Sequence, residues 1–171
     1  VRNARLTLPT KFDMVDPLLK LRHGHNVTVR VSLNPEEIIR RVEFGTSRLD
    51  ERITALNKLH RAGYDVGILI APIVLLEGWQ DMYERLFRTM AERIDPDILR
   101  GVPLEIIFMT YGLVTEQINK HAFPGAVQLH DKESMAFCGR SRYGYTQPVK
   151  AEASAFLRER IAYWLPEVRI A

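Results

Sequence analysis

A serine, an asparagine and an alanine stand where two apolar runs stop, and a hydroxyl and an amide there can hold a small polar ligand. The runs are Val27-Thr-Val-Arg-Val-Ser-Leu-Asn-Pro35 and Val66-Gly-Ile-Leu-Ile-Ala-Pro-Ile73. Each ends in a small or polar residue followed by proline, which has no amide hydrogen to extend a sheet ladder. In parallel α/β sheets, ligands bind at the carboxyl ends of the strands. Ser32, Asn34 and Ala71 are therefore the first places to look for a site. The plainer reading is that Ser32 and Asn34 only terminate a strand and cap the helix that follows.

From Lys132 to Arg142 the chain carries a second constellation, Lys132, Arg140 and Arg142, close to Phe137, Tyr143 and Tyr145. Cations interleaved with aromatics suit phosphate contact and base stacking. The competing reading is a solvated hairpin with ordinary surface arginines. No metal set is apparent. His23, His25 and His60 read as surface or turn histidines, and the one cysteine, Cys138, cannot alone hold zinc or an iron–sulfur cluster.

These groups need a framework, and the composition bounds it. The chain has 171 residues, 46% hydrophobic and 26% charged, which fits one globular domain. With 24 basic against 21 acidic residues the net charge is only +3, so overall charge names no partner. No apolar run approaches the ~18 residues that cross a bilayer, and no signal-peptide pattern opens the chain. A cytoplasmic protein without a membrane partner is expected.

Along the chain, strands alternate with helices. Arg5-Leu-Thr-Leu8 reads as the end of a strand stopped by Pro9, and Phe12 to Leu21 as a short helical patch. Glu36 to Phe44 forms a brief helix. Ser47 with Asp50 resembles a capping arrangement for a second helix, whose Leu49, Ile53, Leu56 and Leu59 share a face. Gly63 marks its end. A third helix carries Trp79, Tyr83, Leu86, Met90 and Ile94 as a stripe better suited to core packing than to a cofactor. Leu104 to Met109 is a third strand and Val114 to His121 a short helix. Val127 to His130 suggests a short strand, Ala136 to Thr146 a β-hairpin, Val149 to Trp164 a helix and Val168 to Ile170 a terminal strand. The expected fold class is α/β: half of a partial (β/α)6 TIM-like barrel with parallel strands, plus a carboxyl-terminal hairpin and helix. Residues 1–125 would form the half barrel and 126–171 an appendage of the same domain. Because the chain opens inside a strand, an amino-terminal part of a larger protein is expected before Val1.

At Thr10-Lys11, Arg30-Val-Ser-Leu-Asn-Pro35, Phe44-Gly-Thr-Ser-x-Leu-Asp50, Ala62-Gly-Tyr64, Ile70-Ala-Pro-Ile73 and Glu77-Gly-Trp79, the sequence resembles the spore photoproduct lyases. The likeness continues more weakly through Gly139-Arg140, Arg142-Tyr-x-Tyr145 and the last helix. It spans almost the whole chain but only the carboxyl-terminal half of the family's length. These are radical S-adenosylmethionine enzymes that cleave a methylene-bridged thymine dimer in DNA with a 5′-deoxyadenosyl radical.

The resemblance implies a barrel completed by a preceding half, which carries a Cys-x-x-x-Cys-x-x-Cys loop for a 4Fe-4S cluster and the hydrogen-donor cysteine. Neither belongs to this chain. No catalytic residue and no metal ligand is therefore expected in it, and it should be inert alone. It further implies that Lys11 and Ser32 contact S-adenosylmethionine, that Ala71 passes its adenosine end, and that Asn34 adds a polar contact. An ammonium and a hydroxyl at strand ends suit the cofactor's carboxylate and ribose. Arg140, Arg142 and Tyr143 would meet DNA carrying a thymine lesion, the hairpin wedging into the duplex. Ser141 stands where the family usually has an aromatic residue, and Phe108-Met-Thr-Tyr111 is less polar than the family's third strand. A radical S-adenosylmethionine enzyme with another substrate and a non-catalytic DNA-binding α/β module are the alternatives. An unrelated phosphate-binding enzyme lacks a glycine-rich loop to support it.

Overall fold

The computed structural model describes residues 4–129, 131 and 133–171. Strands β1 (Leu6–Thr10), β2 (Val27–Ser32), β3 (Asp65–Ile73), β4 (Pro103–Phe108) and β8 (Arg169–Ile170) form one parallel sheet in the order β1-β2-β3-β4-β8. Helices α1 (Glu36–Val42) and α2 (Leu49–Arg61) connect β2 to β3, while α3 (Trp79–Arg93) and α4 (Pro96–Leu99) connect β3 to β4. A second sheet holds β5 (Thr110–Gly112), β6 (Met135–Phe137) and β7 (Arg142–Tyr145), antiparallel with β7 central. Helices α5 (Leu113–Ala122) and α6 (Gln147–Trp164) complete the chain. This is the α/β half barrel with hairpin and helix that the sequence led us to expect. No described helix is long and apolar enough to cross a membrane.

The period of two in β2 divides its faces. Val29 and Val31 are buried with Ile53, Leu56 and Leu59 of α2 in one apolar core, each side chain contributing roughly 1.5–3 kcal/mol by leaving water. Arg30 and Ser32 point the other way. Opposite them in register lie Gly67 and Leu69 of β3. A Cβ on Gly67 would meet Arg30 Cγ at 3.2 Å. The bare backbone thus lets the Arg30 side chain cross β3 to pair with Glu105 of β4. Gly63, at φ +83°, turns the chain from α2 into β3.

Several local expectations are corrected. Pro9 does not stop β1: the strand runs to Thr10 with Pro9 opposite Arg30, which is tolerated because β1 lies at one end of the sheet order and pairs on one side. The patch from Phe12 to Leu21 yields only a 3₁₀ turn at Leu18–Lys20, directly after Pro17. Ser47 does not cap α2, because its hydroxyl accepts the Asp13 amide (2.9 Å) and donates to the Asp13 carboxylate (2.7 Å). Glu51 acts instead, accepting the amide of Arg48 at 2.7 Å. Strand β3 continues through the cis Ala71–Pro72 peptide with a register shift between Ile70 and Ile73. Residues 127–129 form no strand, and His130 lies outside the described residues. The segment 110–112, with no strand signature of its own, joins the hairpin as β5. The last strand, β8, returns to the main sheet beside β4.

The long helix α6 buries Ala153, Leu157 and Ile161 and packs on α3. Trp164 Nε1 donates to Glu84 at 2.7 Å, and the Phe156 ring meets Trp79 edge-on at 5.1 Å. The α3 stripe is core, as its spacing predicts, with Phe87 added to Tyr83, Leu86 and Met90.

Candidate functional site

Parallel pairing brings the ends of β1, β2 and β3 side by side, and three residues far apart in sequence meet there. The Lys11 ammonium, just past β1, donates to Ala71 O (2.6 Å), Glu43 Oε1 (2.7 Å) and Ser32 Oγ (3.0 Å). Ser32 Oγ in turn donates to Ala71 O at 2.8 Å. All three ammonium protons are thereby engaged. Lys11, Ser32 and Ala71 line a cleft of about 320 Å³ with Pro9, Thr10, Phe12 and Leu69. A larger hollow of about 550 Å³ sits at the amino ends of the strands, beside Arg5, His60, Asp65 and Arg169, and holds none of these groups.

Beneath the cleft is an ion pair that the reading of motifs did not single out. Arg52 is 0% exposed and Glu43 9%. The guanidinium donates to Glu43 Oε2 (2.7 Å), Thr46 Oγ1 (2.6 Å), Ser47 O (2.8 Å) and Ser32 O (3.0 Å). A buried charge of this kind is tolerable only when paired and hydrogen-bonded. The signal for Arg52 was present: it is the one charged residue within the apolar stripe Leu49, Ile53, Leu56 and Leu59. Glu43 had no comparable signal.

Asn34 is also 0% exposed and does not reach the cleft. Its Nδ2 donates to Glu43 Oε1 (2.7 Å) and Pro72 O (3.1 Å), while Oδ1 accepts nothing from the described residues. Flipping the amide would set Oδ1 against two acceptors, so its orientation is forced. Burial is the main cause that lowers the Lys11 pKa from its ordinary value; Glu43 opposes the shift and Arg52 adds to it.

The hairpin collects the second set. Arg140 (φ +49°) and Ser141 (φ +56°) are the central residues of a tight turn closed by the Arg142 amide on Gly139 O at 3.0 Å. Positive φ at both central residues of a four-residue turn is the mark of type I′, usually built from Asn and Gly. Arg140 and Arg142 are exposed and form no ion pair among the described residues. Tyr143 is half-buried, its ring edge-on to the exposed Phe137 at 5.9 Å. Tyr145 leaves the cluster: it is buried and its hydroxyl accepts the Leu75 amide at 2.8 Å. Lys132 lies outside the described residues.

Among the described residues no group of three or more His, Cys, Asp and Glu is placed to hold a metal ion. His23 stacks on Tyr64 at 3.9 Å with His25 nearby, and Cys138 is exposed.

A family model described as "Spore photoproduct lyase" matches residues 1–171. The spore photoproduct lyase of Bacillus subtilis is 29% identical over 170 residues, 97% of this chain and 50% of that protein. That of a Geobacillus species is 28% identical with the same coverage. A solved spore photoproduct lyase complexed with dinucleoside spore photoproduct superposes with a TM-score of 0.90 at 29% identity, over 97% of this chain and 50% of that one. A double mutant with bound AdoMet and dinucleoside spore photoproduct gives 0.89, also at 29% identity and with the same coverage. The chain spans about half the length of the relatives it matches, and corresponds to their carboxyl-terminal half. With the family match running through all its residues, this chain belongs to the spore photoproduct lyase family.

Proposed function

We propose that this chain is the carboxyl-terminal part of a radical S-adenosylmethionine enzyme that splits the methylene-bridged thymine dimer in DNA. The observation that carries the reading is the meeting of Lys11, Ser32 and Ala71 at the strand ends, facing one cleft. The donor set fits the cofactor: an ammonium for its carboxylate, a hydroxyl for its ribose and a strand-end backbone for its adenosine end. Asn34 supports them from below through Glu43. Because every Lys11 proton is already bonded, a ligand carboxylate would exchange with one of these partners.

S-adenosylmethionine supplies the radical chemistry when bound beside a reduced iron–sulfur cluster. The residues present do not fit that cluster, since one exposed cysteine cannot supply three thiolates. Its ligands must come from the other half of the barrel, and this chain alone is inactive. Its own contribution is to orient the cofactor and, through Arg140, Arg142 and Tyr143, to hold DNA carrying the lesion in the cytoplasm. The solved relative with bound dinucleoside spore photoproduct supports that substrate.

The test starts with the reading frame upstream of Val1, where a Cys-x-x-x-Cys-x-x-Cys motif is expected. Anaerobic reconstitution of the complete polypeptide should then release 5′-deoxyadenosine. Lys11→Ala and Ser32→Ala should each weaken S-adenosylmethionine binding. Absence of the motif, with salt-dependent DNA affinity retained, would select a non-catalytic DNA-binding module. Unchanged cofactor affinity in both variants would reject the site.

A further inference from the structure

We infer that Glu43, clamped by Arg52, is the positioning residue of the cofactor cleft, holding Lys11 and Asn34 in place without touching the ligand itself. The inference rests on the reading of the cleft as an S-adenosylmethionine site.

Neither Glu43 nor Arg52 lines the cleft, so Glu43 acts on a ligand there through Lys11, and Arg52 through Glu43 and the Ser32 backbone. The carboxylate divides its two oxygens. Oε2 is taken by Arg52, while Oε1 accepts both the Lys11 ammonium and the Asn34 amide, each at 2.7 Å. Lysine is a flexible chain with a compact charge, and a fixed counter-ion is what gives it one position. Glu43 is the only carboxylate within ion-pair distance of Lys11 among the described residues. Charge counting points the same way. Arg52 and Lys11 bring two positive charges and Glu43 one negative, so the buried guanidinium is neutralised and one positive charge remains at the cleft for an anionic group.

The same network gives the segment 45–47 a physical task. Arg52 bonds Thr46 Oγ1 and Ser47 O, and also Ser32 O at the end of β2. The loop is thus wrapped around the guanidinium that fixes Glu43, and the clamp is tied directly to the strand end presenting Ser32.

The test uses the complete enzyme, labelled for side-chain NMR of lysine and assayed for cofactor binding. In the unmodified enzyme the Lys11 ammonium should exchange with water more slowly than those of exposed lysines; exchange as fast as theirs overturns the inference with no variant needed. Glu43→Gln should move the Lys11 titration further down, since the carboxylate that raises it is gone, and Glu43→Asp should restore part of the shift. Should Glu43→Gln alone unfold, Glu43→Gln combined with Arg52→Gln removes both buried charges and keeps the comparison. In the complete enzyme, loss of Glu43 should weaken S-adenosylmethionine binding by about tenfold or more, as losing the outer partner of a metal-binding residue does. A folded variant with an unmoved Lys11 titration overturns the positioning role. If Lys11→Ala leaves cofactor affinity unchanged, the cofactor reading fails, while the Lys11 titration still decides the positioning.

Discussion

The Tyr145 hydroxyl accepts the amide hydrogen of Leu75 at 2.8 Å. One residue earlier, the Val74 amide donates to the Tyr83 hydroxyl at 3.0 Å. Two tyrosines, one from α3 and one from the hairpin, therefore hold consecutive amides just beyond β3. The hairpin that carries the exposed arginines is in this way fastened to the strand that carries Ala71. Burial raises the pKa of both phenols, so each stays protonated at neutral pH.

Tyr145→Phe removes the acceptor and leaves the Leu75 amide without its partner. A loss of roughly 1–3 kcal/mol is expected, measured as a lowered urea midpoint. Tyr163→Phe, at a 67% exposed position, serves as the control and should shift stability by less than about 0.5 kcal/mol. Equal effects of the two would show that the Tyr145 bond contributes nothing.

Leu56 is fully buried between α2 and the sheet. Leu56→Ala should cost about 2–5 kcal/mol, the cavity adding to the lost transfer energy. Met14 is 76% exposed, and Met14→Ala should stay within about 0.5 kcal/mol. Calorimetric melting of both variants checks the contrast.

Lys11 gives stability a dependence on alkaline pH. Its folded pKa lies below the ordinary 10.5, so between the two values the unfolded chain binds more protons. Stability must therefore rise with pH across that window, and the gain is lost as pH falls through the folded pKa. Urea midpoints of the natural chain and of Lys11→Met, compared from neutral pH to 10.5, should diverge in this sense. A constant difference across the range would contradict the shift.

At the hairpin, Arg140→Ala and Arg142→Ala should each reduce the slope of log affinity for DNA against log salt by about one. Melting temperature should hold, since both side chains are exposed. A slope left unaltered in both variants removes the hairpin from the DNA-binding surface.

The turn itself offers a separate test. Ser141 sits at φ +56°, which costs a residue with a Cβ about 1–2 kcal/mol relative to glycine. Ser141→Gly should raise stability by a comparable amount, and Gly139→Ala, at φ +89°, should lower it. Thermal melting distinguishes the two signs.

Much of this architecture follows from short-range pattern. The alternation of β2, α2, β3 and α3, the buried faces of both helices, the turn at Gly63 and the tight hairpin are written in windows of a few to a dozen residues. Hydrophobic period and Gly/Pro punctuation act over that length. Ser32 could be located for the same reason, because a strand end is a local event; Ala71 was marked by the proline after it, although β3 runs on to Ile73. Where local signals competed, the outcome depended on distant partners. Ser47 looked like a helix cap until Asp13, 34 residues away, claimed its hydroxyl.

The sequence by itself determined the α/β class, the order of its strands and helices, and the family motifs that run through them. Only the tertiary structure decided what the strand ends contain. Lys11 reaches Glu43 across 32 residues and Ala71 across 60, and Tyr145 reaches Leu75 across 70. No local periodicity encodes such pairs. They form because parallel strands place their carboxyl ends side by side, and because a charge buried by the core, as on Arg52, must find its partner there.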